Sequence, residues 1–130
     1  MKSIVVVSKD RQGWLAKTGA NVAKGLGAKL VNVDEIDIFG LAKYDVICLG
    51  IEIETKGVDT KIVDLVKNMA GRFDKKISIF WLGSGWKRFF VSKLRRQMNL
   101  KGVVNIGDRH LVFGNELGIA SYIRMILIRQ

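Results

Sequence analysis

The sequence predicts a doubly wound α/β fold, a five-stranded parallel sheet in the order 2-1-3-4-5 with helices on both faces. Two observations carry the prediction. The strand candidates are continuous apolar runs, which is how strands covered on both faces read. Strand and helix candidates also alternate five times along the 130 residues, the pattern of a parallel sheet. Right-handed crossovers leave few topologies for so short a chain, and 2-1-3-4-5 is the common five-stranded one.

The elements follow in order. "SIVVV" (3–7) is a β-branched run and the first strand. From Leu15 to Leu26 the residues Leu15, Val22, Ala23 and Leu26 fit one helical face, with Gly27 as the stop. "AKLVNV" (28–33) is a short second strand, "DEIDIFGLAK" a connecting segment, and "YDVICLGI" (44–51) a strongly apolar third strand. In 58–73, Val58, Ile62, Leu65, Val66 and Met69 are spaced for an amphipathic helix. "KKISIFWLG" (75–83) is the fourth strand. Residues 86–100 form a helix that buries Phe90, Leu94 and Met98. "GVVNIG" (102–107) is the fifth strand, with "HLVF" extending it or forming a small hairpin, and 116–129 close as a helix. With no repeat, linker or low-complexity stretch, residues 1–130 read as one domain.

Composition narrows the setting. The chain is 48% hydrophobic and 26% charged, which is globular. A single cysteine, Cys48, rules out an intrachain disulfide and points to a reducing, cytoplasmic compartment. "MKSIVVVSKD" has too short an apolar run for a signal peptide, and no window approaches the roughly 18 apolar residues of a spanning helix. The net charge of +10 is unevenly placed: residues 1–65 hold nine Lys/Arg and nine Asp/Glu, residues 66–130 thirteen against three. A basic half attracts acidic partners, anionic lipid or nucleic acid, or is simply a solvated surface.

In such sheets ligands bind beyond the carboxyl ends of the strands, where the strand order reverses. The loops there are "SKDRQGW" (8–14), "GIEIETKG" (50–57) and "GSGW" (83–86), and all three contain glycine. The first leads into a helix, so its backbone amides point at an anion with the helix dipole behind them. Arg11 or Lys9 adds a charge-assisted hydrogen bond there. Asp10 opposes an anion unless it faces away or caps the helix. The alternative is that Asp10 is the cap, Arg11 faces solvent and Trp14 packs on a neighbouring loop.

The chain resembles the flavodoxin family over nearly its whole length. The resemblance rests on the first strand, loop and helix ending "VAKGL" (22–26), on "YDVICLG" (44–50), and on "MAGRFDKKISIFWLGSG" (69–85). It implies an FMN site, with phosphate in the first loop and the isoalloxazine ring between the second and third. Where the family reads Ser/Thr-x-Thr-Gly-x-Thr, this chain reads Ser8-Lys9-Asp10-Arg11-Gln12-Gly13-Trp14-Leu15. The glycine aligns, hydroxyls are missing at Gln12 and Leu15, and Ser8 substitutes only if the loop is longer and folds differently. The second loop lacks the family's stacking aromatic, leaving Ile51 and Ile53 for apolar contact. Glu52, if it points inward, disfavours an anionic reduced ring; otherwise it belongs to a polar loop. Gly83, Ser84 and Gly85 permit close approach, and Trp86 is the stacking candidate. Trp86 and Phe89 serve equally well as core or partner anchors, and Trp81 reads as core.

Other chemistry finds little support. One histidine, His110, does not make a zinc site, and no metal is expected. It reads as structural, and Cys48 as an inert core thiol. No Walker A motif, GxGxxG or Ser-His-Asp spacing is present.

Lys87, Arg88, Lys93, Arg95 and Arg96 cluster within ten residues, and Lys101 follows. Electron-transfer flavodoxins are typically acidic, so this helix is more similar to the basic flavodoxin-type protoporphyrinogen oxidases, which work with membrane quinone. That similarity is loose and carries no catalytic residue. The expected function is FMN-dependent electron transfer or oxidation with a redox protein or quinone as partner. The alternative is a cofactor-free module whose basic half engages an anionic protein, a membrane surface or, less readily, nucleic acid. The expected location is cytoplasmic, with peripheral contact to the inner membrane face.

Overall fold

The computed structural model describes residues 2–9, 13–53, 57–69, 75–83, 87–100 and 104–130, with Leu100 described by its backbone alone. Its elements are β1 (Ser3–Val7), α1 (Trp14–Leu26), β2 (Lys29–Asn32), a 3₁₀ turn at Val33–Glu35, α2 (Ile38–Leu41) and β3 (Val46–Glu52). They continue with α3 (Thr60–Asn68), β4 (Lys76–Leu82), α4 (Arg88–Leu100), β5 (Val104–His110) and α5 (Glu116–Arg129). The five strands form one sheet in the order β2-β1-β3-β4-β5, all pairs parallel. The expected topology is borne out.

Strand alternation splits the core in two. Ile4, Val6, Ile47, Leu49, Ile77 and Ile79 face the layer that holds Ile62, Leu65 and Val66 of α3 and Val91, Leu94 and Met98 of α4. Val5, Val7, Val46, Cys48 and Phe80 face Leu15, Val22 and Ala23 of α1 and Tyr122 and Ile126 of α5. Both faces being covered is why β1 and β3 read as unbroken apolar runs. Gly50 on β3 leaves room for Phe80 across the ladder, since a Cβ there would lie 2.8 Å from the Phe80 Cε2.

Several expectations are corrected. The connecting segment carries the 3₁₀ turn and α2. Asn32 and Glu35 form a reciprocal capping box, and the Asp37 side chain accepts from the Gly40 N–H. Of the two alternatives open for the fifth strand, the extension is the one found: β5 runs past 107 through His110. The helix expected over 58–73 runs from Thr60 to Asn68, residues 70–73 lying outside the described residues. In α4 it is Val91 that joins Leu94 and Met98 in the core, while Phe90 is half-buried. Among the described residues no helix is long and apolar enough to cross a membrane.

Candidate functional site

The candidate site lies at the carboxyl ends of β1, β3 and β4. Backbone hydrogen bonds continue past the strand ends and set the loops side by side. The Ser8 N–H donates to the Gly50 carbonyl at 3.0 Å, and the Ile53 N–H to the Leu82 carbonyl at 3.3 Å. Because β3 separates β1 from β4, the first and third loops stand about 10 Å apart.

Ser8 is the central residue of this arrangement. It follows directly on β1, is only 3% exposed, and its hydroxyl has no hydrogen-bond partner among the described residues. A buried hydroxyl without a partner is costly and calls for an explanation. Five residues on, Gly13 caps α1 in the left-handed conformation (φ 75°, ψ 7°), and its carbonyl accepts the Lys17 N–H at 3.1 Å. A Cβ at Gly13 would meet no other atom of the described residues within 4 Å, so it is the backbone angle that requires the glycine. The first turn of α1 carries no acidic residue to neutralise the positive end of the helix dipole. Ser8, Gly13 and this helix start fit a phosphate group.

The remaining first-loop candidates do not converge on that point. Lys9 is held by Asp34 at 3.3 Å, and Lys61 of α3 also bonds Asp34. The Lys61 ammonium, with Lys9 beside it, holds the Asp34 carboxyl below its usual range, and Asp34 in turn raises Lys61. Trp14 is 45% exposed and stacks on Phe113, ring centroids 5.0 Å apart at 21°. It packs on the β5–α5 loop, one of the two alternatives open from sequence. Phe113 and Asp34 were not among the candidates. Nothing in the local pattern marks either, because both contacts span distant segments. Asp10, Arg11 and Gln12 lie outside the described residues.

In the second loop Ile51 and Ile53 are corrected from ligand contacts to core. Both are essentially unexposed and belong to the cluster facing α3 and α4, because odd positions of β3 all point that way. Glu52 points to the other face and is half-buried. In the third loop Gly83 has φ 128°, again glycine territory, and its carbonyl accepts a hydrogen bond from His110 Nε2 at 2.5 Å. A carbonyl only accepts, so this bond fixes the Nε2–H tautomer. His110 also stacks on Trp81, centroids 5.2 Å apart. Lys87 donates from Nζ to the Ile53 carbonyl at 3.1 Å, tying the start of α4 to the end of β3. Ser84, Gly85 and Trp86 lie outside the described residues.

The basic helix exposes Arg88, Lys93 and Arg96, whereas Arg95 is paired with Asp108 of β5 at 2.5 Å. Lys101 lies outside the described residues. Cys48 is buried and its thiol is pushed up to about 12 by that burial. Among the described residues no group of three His, Cys, Asp or Glu side chains gathers as a metal ion would need.

No protein-family model matches the chain, and no curated protein matches it by sequence. Solved structures do. Oxidised flavodoxin 2 from Bacillus cereus superposes with a TM-score of 0.77 over 98% of this chain and 99% of its own, at 14% identity. Two-electron reduced Megasphaera elsdenii flavodoxin gives 0.73 over 94% and 96%, at 16% identity. A Lactobacillus acidophilus flavoprotein in complex with FMN gives 0.68 over 84% and 92%, at 15% identity. The fold is flavodoxin-like. Within that flavodoxin-like fold the candidate site occupies the strand-order switch between β1 and β3, the crevice where such sheets take ligands.

Proposed function

We propose that the chain binds FMN at the β1–α1 loop and acts in electron transfer or flavin-dependent oxidation. The observation that carries this is the buried hydroxyl of Ser8, without a partner among the described residues, beside the glycine-capped start of α1. Ser8 Oγ would donate to a phosphate oxygen, and the first-turn amides of α1 would complete the cradle. FMN, when bound, supplies one- and two-electron chemistry at its ring. Around the ring, Gly83 gives close approach, and the His110 bond holds the Gly83 carbonyl in place. Trp86 is the stacking candidate for the ring.

The test is a titration of the purified protein with FMN, followed by quenching of flavin fluorescence. Saturable binding in the micromolar range or tighter supports the proposal. Absence of quenching at high micromolar FMN refutes it.

A second function is favoured by one further feature. Arg88, Lys93 and Arg96 form an exposed stripe on α4, and Phe89 beside them is about half exposed. This stripe would dock an anionic partner: an acidic redox protein, the surface of a membrane where quinone is dissolved, or less readily nucleic acid. Combined Arg88→Ala and Arg96→Ala substitution should then weaken such docking while leaving FMN affinity unchanged.

A further inference from the structure

The far edge of the sheet carries a second concentration of positive charge, with a different construction. On α5, Ser121, Arg124, Met125 and Ile128 fall at i, i+3, i+4 and i+7, one stripe of the helix. The opposite stripe, Ile119, Tyr122 and Ile126, is buried in the core. With Arg109 from β5 and Arg129, the outer stripe lines a cleft of about 280 Å³. Arg109 donates to Ser121 Oγ at 3.2 Å and lies 3.7 Å from the Met125 sulfur. Arg129 donates to the Ile106 carbonyl at 2.8 Å, and Lys76 Nζ donates to the Arg129 carbonyl at 3.2 Å.

These bonds fix two guanidinium groups while using few of their five N–H donors each. Among the described residues none of the three arginines has an ion pair; the pairs are Lys9 and Lys61 with Asp34, and Arg95 with Asp108. Asp108 points to the α4 side of the sheet, away from the cleft. Glu116, eight residues before Arg124 on α5, lies about 12 Å away along the helix. Arginines that line one cleft with no carboxylate paired to them among the described residues repel one another unless an anion enters. A cleft of this size lined by Met125 and Ile128 beside the arginines suits a phosphate head on an apolar stem. Guanidinium forks match phosphate oxygens in pairs.

We propose that the cleft between β5 and α5 binds a phosphate-bearing ligand through Arg109, Arg124 and Arg129. It lies three strand spacings from β1, about 14 Å, and is separate from the first-loop cradle. Phosphate of this kind comes from a soluble metabolite or from a lipid headgroup. Ile128, exposed in the lining of the cleft, fits the second source as well as the first.

The experiment is an amide NMR titration with inorganic pyrophosphate to low millimolar, with cosedimentation on phosphatidylglycerol vesicles as a second arm. Amide shifts at Ser121, Arg124 and Ile128, weakened at least about tenfold by Arg109→Ala with Arg124→Ala, support a soluble ligand. Vesicle binding that the same pair of substitutions abolishes supports a lipid headgroup. Should the double variant not fold, Arg124→Gln alone, at an exposed position, serves instead. Shifts confined to Gly13–Leu15, binding unchanged in the variants, or no response to either probe overturns the proposal.

Discussion

Replacing Ser8 with alanine should move stability and ligand affinity in opposite directions. In the free protein the Ser8 hydroxyl is buried and has no partner among the described residues. An unpaired buried hydroxyl costs about 1–3 kcal/mol, and removing it relieves that cost against the loss of one oxygen's packing contacts. Ser8→Ala should therefore stabilise the FMN-free protein by about 1 kcal/mol, raising Tm by about 3–5 °C at this chain length. With FMN the same hydroxyl would donate to a charged phosphate. A hydrogen bond to a charged group is worth about 1.5–3 kcal/mol, so Kd should rise by about 10- to 100-fold. Urea unfolding of FMN-free protein and a fluorescence titration read the two effects separately. If Ser8→Ala lowers the stability of the free protein, the hydroxyl is satisfied and the argument fails at its first step. If stability rises but Kd stays within about twofold, the phosphate is not at Ser8.

Three further outcomes are expected. Ser78 Oγ has one proton and donates it to the Gly107 carbonyl at 2.8 Å, so the Tyr122 hydroxyl, 2.7 Å away, is the donor in their bond. Ser78→Ala leaves that buried phenol only the Cys48 thiol, a weak partner, and should cost about 1–3 kcal/mol; Tyr122→Phe should cost about 0.5–1.5 kcal/mol, and urea unfolding that reverses the order would refute the assignment. Asp34, held below its usual range chiefly by Lys61, contributes stability above the unfolded carboxylate value near about 3.9 and loses it as pH falls through the lower folded value. Lys61→Met should move the Asp34 titration, followed by carboxyl NMR, back up towards the unfolded value. Cys48, buried and raised to about 12, should resist iodoacetamide at pH 8, where an ordinary thiol is partly ionised, and react only as the protein unfolds.

The sheet was legible because its inner strands β1, β3 and β4 are apolar on both faces, and that requires no knowledge of what packs there. Which helix residues pack is harder. Phe90 looked like core by spacing, but Val91 takes the buried position and the Phe90 ring lies over Gly57, where an added Cβ would come within 3.1 Å of it. The 3₁₀ turn and α2 had signals in the sequence, Asn32 with Glu35 and Asp37 with Gly40, that a search for caps would have found. The site was legible in position but not in its members. Topology alone places Ser8 and Gly13 at the switch point. Whether Lys9 faces a ligand depends on Asp34, twenty-five residues away, and whether Trp14 does depends on Phe113, so no local pattern could decide either.

Charge shows the same division between count and placement. The excess of basic residues after residue 65 was plain from sequence, and it read as one basic half. The sheet separates it into two. Past the irregularity near Ser78, β5 sends Asp108 and His110 towards the α4 side and Gly107 and Arg109 towards α5. The only acidic residue of β5 therefore goes to the α4 side, where it binds Arg95, and the α5 side is left with arginines alone. A shift of one residue in that register would exchange Asp108 and Arg109. It would leave the α4 side without its carboxylate and cancel part of the charge in the α5 cleft. The irregularity in the β4–β5 ladder is thus what makes the outer cleft uniformly cationic, and a count of lysines and arginines carries no trace of it.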